Sequence, residues 1–334
     1  MIYGHGDDTY QGEVQLNFSS NVNPYGPSFE LKAHLHHCLS NIHNYPEPLA
    51  TPLANALAQK HELQTNSVLV TNGATEAIYL LAEVFKRKRS LILTPSFSEY
   101  EDACRCYNHE LMFAHHNAPW QPVNTDVVWL CNPNNPDGKI YSKEKLQQLL
   151  VQHKHCTFII DEAYTDFLHN DISLINEVKT YENLIIIRSL TKRFAIPALR
   201  LGYLVCSPKL LKSLQAKLHP WRINELALQA GLYCLAHNDS WQEQRATLLT
   251  ESERFQQEIQ TLNGFELTPS DTTFFLVKSP IPAALLKKKL LERYQILIRN
   301  ASNFRSLSDF HLRLATQTPE ANDDLLNILR SWNY

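Results

Sequence analysis

A lysine and an arginine lie between two apolar runs of the chain, in the stretch SLTKRFAIPALRLGY. Runs of this kind are typical of strands that are buried on both faces. An amine at the partly dry end of such a strand has a lowered pKa, and the neutral amine of Lys192 can then attack a carbonyl and form a Schiff base. The hydroxyls of Ser189 and Thr191 and the guanidinium of Arg200 are donors suited to phosphate. The stretch therefore predicts a nucleophilic amine beside an anion site.

Three other stretches place polar groups directly after apolar runs. In VTNGATEA, Gly73 permits a tight turn, which leaves the N–H groups of Ala74 and Thr75 free at the positive end of a helix. In FIIDEAYTDF, Asp161 ends a buried run, where a carboxylate needs a partner, and Tyr164 lies three residues later. CNPNNPDG follows another run and by itself is typical of a Pro/Asn turn. Each feature alone is compatible with an ion pair or a turn, but together they favour one shared ligand site.

The elements that would carry these groups alternate between short apolar strands and amphipathic helices. We predict seven strands, at 68–71, 91–93, 111–114, 127–131, 157–160, 184–188 and 201–206. We predict helices at 28–41, 51–63, 74–87, 98–107, 142–153 with Ser142 as N-cap, 224–237 and 241–262, the last followed by a C-cap at Gly264. This alternation indicates an α/β fold with a mostly parallel sheet covered by helices. In such a sheet, ligands bind outside the carboxyl ends of the strands, where the polar groups lie.

The chain of 334 residues is too long for one core, so two domains are expected. A small α+β unit is predicted from strand 272–278, helix 283–294, strands 296–301 and 310–316 and helix 320–332. The expected division is an N-terminal arm and helix that pack on the small domain (1–44), a large ligand-binding domain (45–225), connecting helices (226–264) and the small domain (265–334).

Composition excludes several classes of function. Hydrophobic residues make up 44%, charged residues 19% and the formal net charge is −3, which argues against a nucleic-acid partner or a membrane surface. Seven cysteines without a C-x-x-C pair, and a polar start unlike a signal peptide, favour a cytoplasmic protein. The densest histidine group, at 34, 36 and 37, is more typical of a solvated helix face than of a metal site, so no metal is expected.

Taken together, NGATEA, CNPNNPDG, IIDEAYTDF and SLTKRFAIPALRLGY resemble the fold-type-I pyridoxal-phosphate (PLP) enzymes of aminotransferase class I/II. The resemblance covers nearly the whole chain. It implies the PLP-dependent transferase fold, with a seven-stranded sheet in the large domain, and a homodimer with shared active sites. Ala198 departs from the family pattern, which usually has glycine there, but this change shifts a turn and removes no chemical group.

The resemblance also implies roles for individual residues. Lys192 would form the Schiff base with PLP, and Asp161 would pair with the pyridine nitrogen and keep it protonated. Tyr164 and Asn135 would contact the ring hydroxyl oxygen, and Phe97 would stack on the ring. The phosphate would be held by Tyr45 of the partner subunit and by the groups at the strand ends, which are Gly73, Ala74, Thr75, Ser189, Thr191 and Arg200.

Two branches of the family are similar to this chain, the threonine-phosphate decarboxylases and the histidinol-phosphate aminotransferases. Four stretches look more like the decarboxylases: YGHGDD, LNFSSNVNPYG, HPWRINELALQAG and ILIRNASNFRSLSDFHLRLAT. In that branch Arg313 would bind the substrate α-carboxylate, and Arg299, His5 and Asn23 would surround its phosphate. Arginines among apolar residues also favour anionic partners on physical grounds, with a structural Asp or Glu as the alternative. A histidine such as His5, in an irregular arm, is more often simply solvated.

The sequence thus predicts a homodimeric PLP-dependent lyase that converts L-threonine O-3-phosphate to (R)-1-aminopropan-2-yl phosphate and CO2, in cobalamin biosynthesis. One alternative is a PLP-dependent aminotransferase acting on histidinol phosphate or a related amino acid. Another is a non-catalytic binding or regulatory protein, against which the intact Lys192, Asp161 and Tyr164 argue. The outcome depends on which substrate bond stands perpendicular to the ring, and the sequence leaves that open.

Overall fold

The computed structural model describes residues 6–237 and 241–331, except for the side chain of Gln11. The strands in these ranges are β1 (Leu16–Asn17), β2 (Val68–Thr71), β3 (Arg89–Thr94), β4 (Glu110–His115), β5 (Val127–Cys131), β6 (Thr157–Asp161), β7 (Leu184–Ser189), β8 (Gly202–Val205), β9 (Glu266–Thr268), β10 (Phe274–Lys278), β11 (Ile296–Leu297), β12 (Arg299–Asn300) and β13 (His311–Ala315). The α-helices are α1 (Phe29–Cys38), α2 (Thr51–Lys60), α3 (Gly73–Val84), α4 (Glu99–Cys106), α5 (Lys143–Gln152), α6 (Pro208–Gln215), α7 (Glu225–Ala236), α8 (Trp241–Gln260), α9 (Ala283–Tyr294) and α10 (Pro319–Ser331). Short 3₁₀ segments are Thr9–Gln11, Leu39–Asn41, Thr65–Ser67, Thr165–Phe167, Ile175–Lys179 and Pro197–Leu199.

Seven strands form the large sheet in the order β2-β8-β7-β6-β5-β3-β4. All neighbours are parallel except β8, which runs antiparallel to both β2 and β7. Helices cover both faces, so side chains of both orientations are buried. In β5, for example, Val128 and Leu130 join one core, while Val127 and Trp129 join the core on the opposite face. The predicted α/β fold with a mostly parallel seven-stranded sheet is confirmed.

The C-terminal part contains an antiparallel sheet in the order β12-β13-β10-β9. Its apolar face packs against α8, α9 and α10 around Phe255, Phe275 and Leu325. The register of β12 and β13 places Arg299 directly opposite Arg313. Near the N-terminus, β1 pairs in parallel with β11, which attaches residues 16–17 to this part of the molecule.

Several elements differ from the predictions in detail. The single strand expected at 296–301 is two short strands, β11 and β12, because Ile298 between them joins neither ladder. The short elements β1, β9 and α6 were not predicted, since two to eight residues carry too little periodicity. α8 ends at Gln260, four residues before Gly264, which has φ +77°. Ser142 caps α5 as predicted, through a hydrogen bond that its side chain accepts from Lys145 N.

Within the described ranges, no helix combines the length and the apolar character needed to cross a membrane.

Candidate active site

A cavity of about 460 Å³ opens at the carboxyl ends of the parallel strands. This size is typical of small-ligand sites. It gathers residues from segments far apart in sequence, because β2, β5, β6 and β7 all end at the same edge of the sheet. Eleven of the predicted site residues line it: Ala74, Thr75, Phe97, Asn135, Asp161, Tyr164, Ser189, Thr191, Lys192, Arg200 and Arg313.

One end of the cavity is rich in hydrogen-bond donors. α3 begins at Gly73, so the next two residues present the N-terminal end of a 12-residue helix to the cavity. Across from it, the Ser189 and Thr191 hydroxyls lie 2.8 Å apart. The Arg200 guanidinium packs over Gly73, where a β-carbon would come within 2.5 Å of Arg200 Nη2. Gly73 also has φ +76°, so glycine is required there for both backbone and space.

Lys192 lies in the cavity just beyond the end of β7. Its main chain is anchored, since Lys192 O accepts hydrogen bonds from Asn23 N and Ala195 N. In the described part of the chain, Nζ has neither a hydrogen-bond partner nor an ion pair. Burial lowers the pKa of Lys192 to about 8, and the nearby Arg313 and Arg200 act in the same direction. The side chain is therefore a free amine that titrates close to neutral pH.

Asp161 ends β6 and faces the same cavity. Its Oδ2 accepts a hydrogen bond of 2.7 Å from the Tyr100 hydroxyl, and its Oδ1 accepts one of 2.9 Å from Ala163 N. Burial raises the pKa of Asp161 to about 6, although these two donors oppose the shift. Tyr100, on α4, is a site residue that the sequence analysis missed, and no motif of the sequence singles it out.

The aromatic and amide residues of the cavity lie around these two charged groups. Phe97 contacts Tyr100 edge-on, with ring centroids 5.9 Å apart. Burial raises the pKa of the Tyr164 hydroxyl, and the Tyr164 ring packs edge-on against Phe274 at 4.8 Å. Asn135 is buried, and its Oδ1 accepts a hydrogen bond of 2.6 Å from Arg313 Nη1.

Arg313 brings a buried positive charge to the cavity from the small sheet. Its Nη2 donates to Ser19 O, while its Nε is buried without a hydrogen-bond partner. Within the described residues, no carboxylate forms an ion pair with it. Burial lowers the pKa of Arg313 to about 10. Such a cation favours a negatively charged ligand.

Arg299 lies opposite Arg313 in the small sheet and does not itself line the cavity. It is buried, and its Nη2 donates a hydrogen bond of 2.7 Å to Asn303 Oδ1. Burial and the neighbouring Arg313 lower the pKa of Arg299 to about 9. A β-carbon at Gly6 would lie 3.3 Å from Arg299 Cδ and 3.5 Å from Arg313 Nη2, so this glycine of the arm lies between the two arginines.

The N-terminal arm closes one side of the cavity with Gly6, Asp7, Ser19, Ser20 and Asn21. Both polar atoms of the Asn21 side chain are buried, and they lie near the Tyr164 hydroxyl without completing a hydrogen bond. Asn21 was not predicted as a site residue, whereas Asn23 of the same SSNVN stretch was, because spacing alone does not distinguish the two.

Two predicted residues, Asn23 and Tyr45, are not brought into the cavity. Asn23 points away from it, because its Nδ2 donates to Arg193 O at 3.2 Å and its Oδ1 accepts from Tyr25 N. Tyr45 is 82% exposed and packs on Trp221, with ring centroids 5.0 Å apart. His5 lies outside the described residues.

These groups fit the pyridoxal phosphate that the family resemblance implies. The donors at the start of α3 and after β7 suit a phosphate, and Asp161 lies in the same cavity, where a protonated ring nitrogen can pair with it. The Gly73–Arg200 contact leaves the guanidinium at the helix N-terminus, where it adds to the positive end of the dipole. For metals, no group of three His, Cys, Asp or Glu side chains within 6–237 and 241–331 is placed to hold an ion.

Comparison with known proteins agrees with this geometry. Residues 13–329 match the family described as Aminotransferase class I and II. Threonine-phosphate decarboxylase of Salmonella typhimurium is 32% identical over 95% of this chain and 90% of its own length. Histidinol-phosphate aminotransferase 2 of Archaeoglobus fulgidus is 30% identical over 94% of this chain and 92% of its own. The crystal structure of L-threonine-O-3-phosphate decarboxylase from Porphyromonas gingivalis has a TM-score of 0.92 and 38% identity, with 95% of this chain and 98% of that chain covered.

Proposed function

Because the chain belongs to the aminotransferase class I and II family and uses pyridoxal phosphate, we propose that it decarboxylates L-threonine O-3-phosphate. The products would be (R)-1-aminopropan-2-yl phosphate and CO2, in cobalamin biosynthesis. The observation that carries this proposal is the shared cavity of Lys192 and Arg313, a free amine beside a buried cation that lacks a carboxylate partner among the described residues. The similarity to two threonine-phosphate decarboxylases supports it.

Four parts of the cavity would hold the cofactor. Lys192 Nζ would bond to its aldehyde carbon with loss of water, and Asp161 would pair with its ring nitrogen. Tyr164 and Asn135 would contact the ring hydroxyl oxygen. The phosphate would bind the start of α3, the hydroxyls after β7 and Arg200. When bound, this cofactor accepts the electron pair of a bond broken at the substrate Cα.

Arg313 would bind the substrate α-carboxylate and fix its direction. Its Nε has no partner in the described chain, and a carboxylate oxygen would satisfy it. Decarboxylation requires the Cα–carboxylate bond to stand perpendicular to the cofactor ring, so an arginine that sets the carboxylate position controls which bond reacts. After CO2 leaves, Lys192 would return a proton to Cα, which its pKa of about 8 allows at neutral pH.

The substrate phosphate would lie on the arm side of the cavity. Asn21 offers an amide that lacks a hydrogen-bond partner among the described residues, and Arg299 offers a second guanidinium behind Gly6. Burial and the closeness of Arg313 lower the pKa of Arg299, and a dianionic phosphate would relieve the repulsion between the two arginines. We therefore propose Asn21 in place of Asn23, while the role of His5 stays a prediction.

A second candidate function is transamination of histidinol phosphate or a related amino acid, which the 30% identity to the Archaeoglobus fulgidus protein favours. The same residues would hold the cofactor. The difference would lie in the bond that faces the ring, because an aminotransferase presents Cα–H and uses the lysine to move that proton.

Incubation of the PLP-loaded protein with L-threonine O-3-phosphate, without a keto acid, tests the two functions. We expect steady release of one CO2 per substrate consumed. A Lys192→Ala variant should lose this activity by about 10⁴-fold or more, while Lys143→Ala, which removes a surface lysine paired with Asp171, should retain it. No CO2, together with conversion of the bound cofactor to its amine form by histidinol phosphate or glutamate, would instead identify an aminotransferase.

We further propose a homodimer in which Tyr45 of the partner subunit completes each phosphate site. Tyr45 lies outside the cavity of its own chain, and its ring packs at a tilt against the half-exposed Trp221. Large apolar side chains nearby in sequence are also exposed, among them Phe29, Ile42 and Leu49. Exposed apolar side chains of this size are typical of a surface that a partner covers.

Mixing two inactive variants tests the shared site. A Tyr45→Ala chain keeps its own lysine, and a Lys192→Ala chain keeps Tyr45. If tyrosine acts across the interface, mixed dimers contain one complete site, so activity should rise above that of either variant. Mixtures that stay as inactive as the separate variants, or a monomer in sedimentation, would exclude the shared site.

A further inference from the structure

Tyr100 lines the cavity, and its hydroxyl contacts the carboxylate that ends β6. Tyr100 is 1% exposed, and its hydroxyl donates to Asp161 Oδ2 at 2.7 Å. The other carboxylate oxygen accepts from Ala163 N at 2.9 Å. Each oxygen of Asp161 thus has one neutral donor, and both keep a lone pair for a further partner.

Tyr100 is held in place by stacking. Its ring lies 6.0 Å from the Trp129 ring at an interplanar angle of 25° and meets Phe97 edge-on. Trp129 is fully buried on β5. These two ring contacts hold the phenol beside Asp161.

A chain of hydrogen bonds fixes Trp129 in turn. Its Nε1 donates to Ser90 Oγ at 3.3 Å, and Ser90 Oγ lies 2.7 Å from His109 Nδ1. His109 Nε2 lies 2.8 Å from Ala82 O, which can only accept, so the imidazole proton is on Nε2 and the serine donates to Nδ1. Every polar group of this relay has a partner, and none of its members except Tyr100 reaches the cavity wall.

The two hydrogen-bond donors to Asp161 influence how readily its carboxyl group ionises. Burial raises the pKa of Asp161 to about 6, close to neutrality, while the Tyr100 hydroxyl and Ala163 N–H counteract the shift. A carboxyl group becomes harder to ionise when it loses a hydrogen-bond donor that stabilises the ionised form. The other titratable groups that face Asp161 are Cys131, Glu162, Tyr164 and Lys192.

We propose that Tyr100 is a positioning residue that keeps Asp161 ionised and aimed at the ring nitrogen of the cofactor. This inference rests on the role proposed above for Asp161. Tyr100 itself would touch neither substrate nor reacting atoms. Tyr100 would affect the reacting atoms only through the Asp161 carboxylate. Trp129, Ser90 and His109 would hold the phenol in position.

The test is retention of PLP by the full-length holoenzyme, measured by equilibrium dialysis from about pH 5 to about pH 8. We expect Tyr100→Phe, which keeps the ring and removes the hydroxyl, to move the acid midpoint of PLP retention upward by about one pH unit. That shift corresponds to about tenfold weaker binding on the acid side. Tyr203→Phe is the matched control, because Tyr203 is equally buried and its hydroxyl meets His61 at 2.9 Å, outside the cavity.

A second replacement guards against misfolding. Incorporation of 3-fluorotyrosine at position 100 keeps the hydroxyl and makes it a stronger donor, so the acid midpoint should move downward. Equal midpoints in wild type, Tyr100→Phe and the fluorinated protein would overturn the proposal. So would an equal upward shift in the Tyr203→Phe control, which would indicate a general loss of packing.

Asp161→Asn separates failure of this inference from failure of the proposed site. If Asp161→Asn retains PLP with the wild-type pH dependence, the pairing of Asp161 with the cofactor is wrong. If it loses PLP while Tyr100→Phe keeps the wild-type midpoint, only the role of Tyr100 is wrong.

Discussion

Arg188 and Arg313 are both buried arginines on strands. Within the described residues, carboxylates neutralise the charge of Arg188 but not that of Arg313. Arg188, on β7, points to the face of the large sheet away from the cavity. Its Nη1 lies 3.0 Å from Glu162 Oε2 and its Nη2 lies 3.4 Å from Asp166 Oδ1. Burial alone would lower the pKa of Arg188, but Tyr203, Asp166 and Glu162 together raise it above its ordinary value.

Among the described residues, Arg313 has only neutral partners, the Asn135 amide oxygen and a main-chain carbonyl, and its Nε has none. Its pKa is accordingly lowered. The charge of Arg188 is therefore neutralised within the fold, whereas Arg313 is the cation for which we propose a negatively charged ligand.

Two consecutive carboxylates repeat this contrast. Glu162 accepts from Arg188, from Ser173 Oγ at 2.5 Å and from Leu174 N at 2.7 Å. Asp161, one residue earlier, faces the cavity with two neutral donors. Asp161 is the last residue of β6 and Glu162 directly follows it, so two adjacent carboxylates have entirely different partners.

The largest effect on stability is expected when the ion pair between Arg188 and Glu162 is broken. Arg188→Met leaves Glu162 buried without its cation, which should cost about 3–5 kcal/mol of unfolding free energy. Urea unfolding of the cofactor-free protein measures this loss of unfolding free energy. The matched control is Arg89→Met, because the Arg89–Asp126 pair is partly exposed and should contribute far less to stability. Equal losses in the two variants would contradict the contrast.

Arg313→Met should have the opposite profile. Loss of a carboxylate's charged partner should raise KM for L-threonine O-3-phosphate by about 10²-fold. Unfolding free energy should not fall by more than about 1 kcal/mol, because the removed cation has no counter-charge in the described chain. Steady-state kinetics and urea unfolding of one preparation test both parts. An unchanged KM would exclude Arg313 as the carboxylate site.

The raised pKa of Asp161 predicts a pH dependence in the cofactor-free protein. The pKa of the Asp161 carboxyl is about 6 in the folded protein and near its ordinary value of 3.8 in the unfolded chain. The contribution to stability is therefore fully present below the unfolded pKa and is lost as pH rises through about 6, by about 2–3 kcal/mol in total. Relative to Asp161→Asn, wild type should lose that amount of unfolding free energy from about pH 4 to about pH 7. A difference independent of pH would show that Asp161 does not titrate in this range.

The smallest effect concerns two asparagines of the arm. Asn21→Ala should raise KM for L-threonine O-3-phosphate by about tenfold, the value of one hydrogen bond to a charged group. Asn23→Ala should leave KM unchanged and lower stability slightly, because its amide bonds Arg193 O and Tyr25 N. The reverse pattern would restore the assignment of the substrate phosphate to Asn23.

The sequence was sufficient for the large sheet and for much of the cavity. Short apolar strands alternating with amphipathic helices dictate a parallel sheet, and the polar residues that follow β2, β5, β6 and β7 must then meet at one edge. Tyr100 could not be found in this way, because its contact with Asp161 spans 61 residues and joins a helix to a strand end. The choice between Asn21 and Asn23 likewise depends on how the arm folds over the cavity.

By itself, the sequence therefore determined where the strands end and which chemical groups stand there, since both follow from local periodicity. It did not determine which buried charges are neutralised. Arg188 and Arg313 each lie among apolar strand residues, and nothing in their local sequence distinguishes them. Only the tertiary structure decided that one meets Glu162 across β6 and β7 while the other meets a cavity. The physical reason is that charge compensation acts over a few ångströms between segments far apart in the chain.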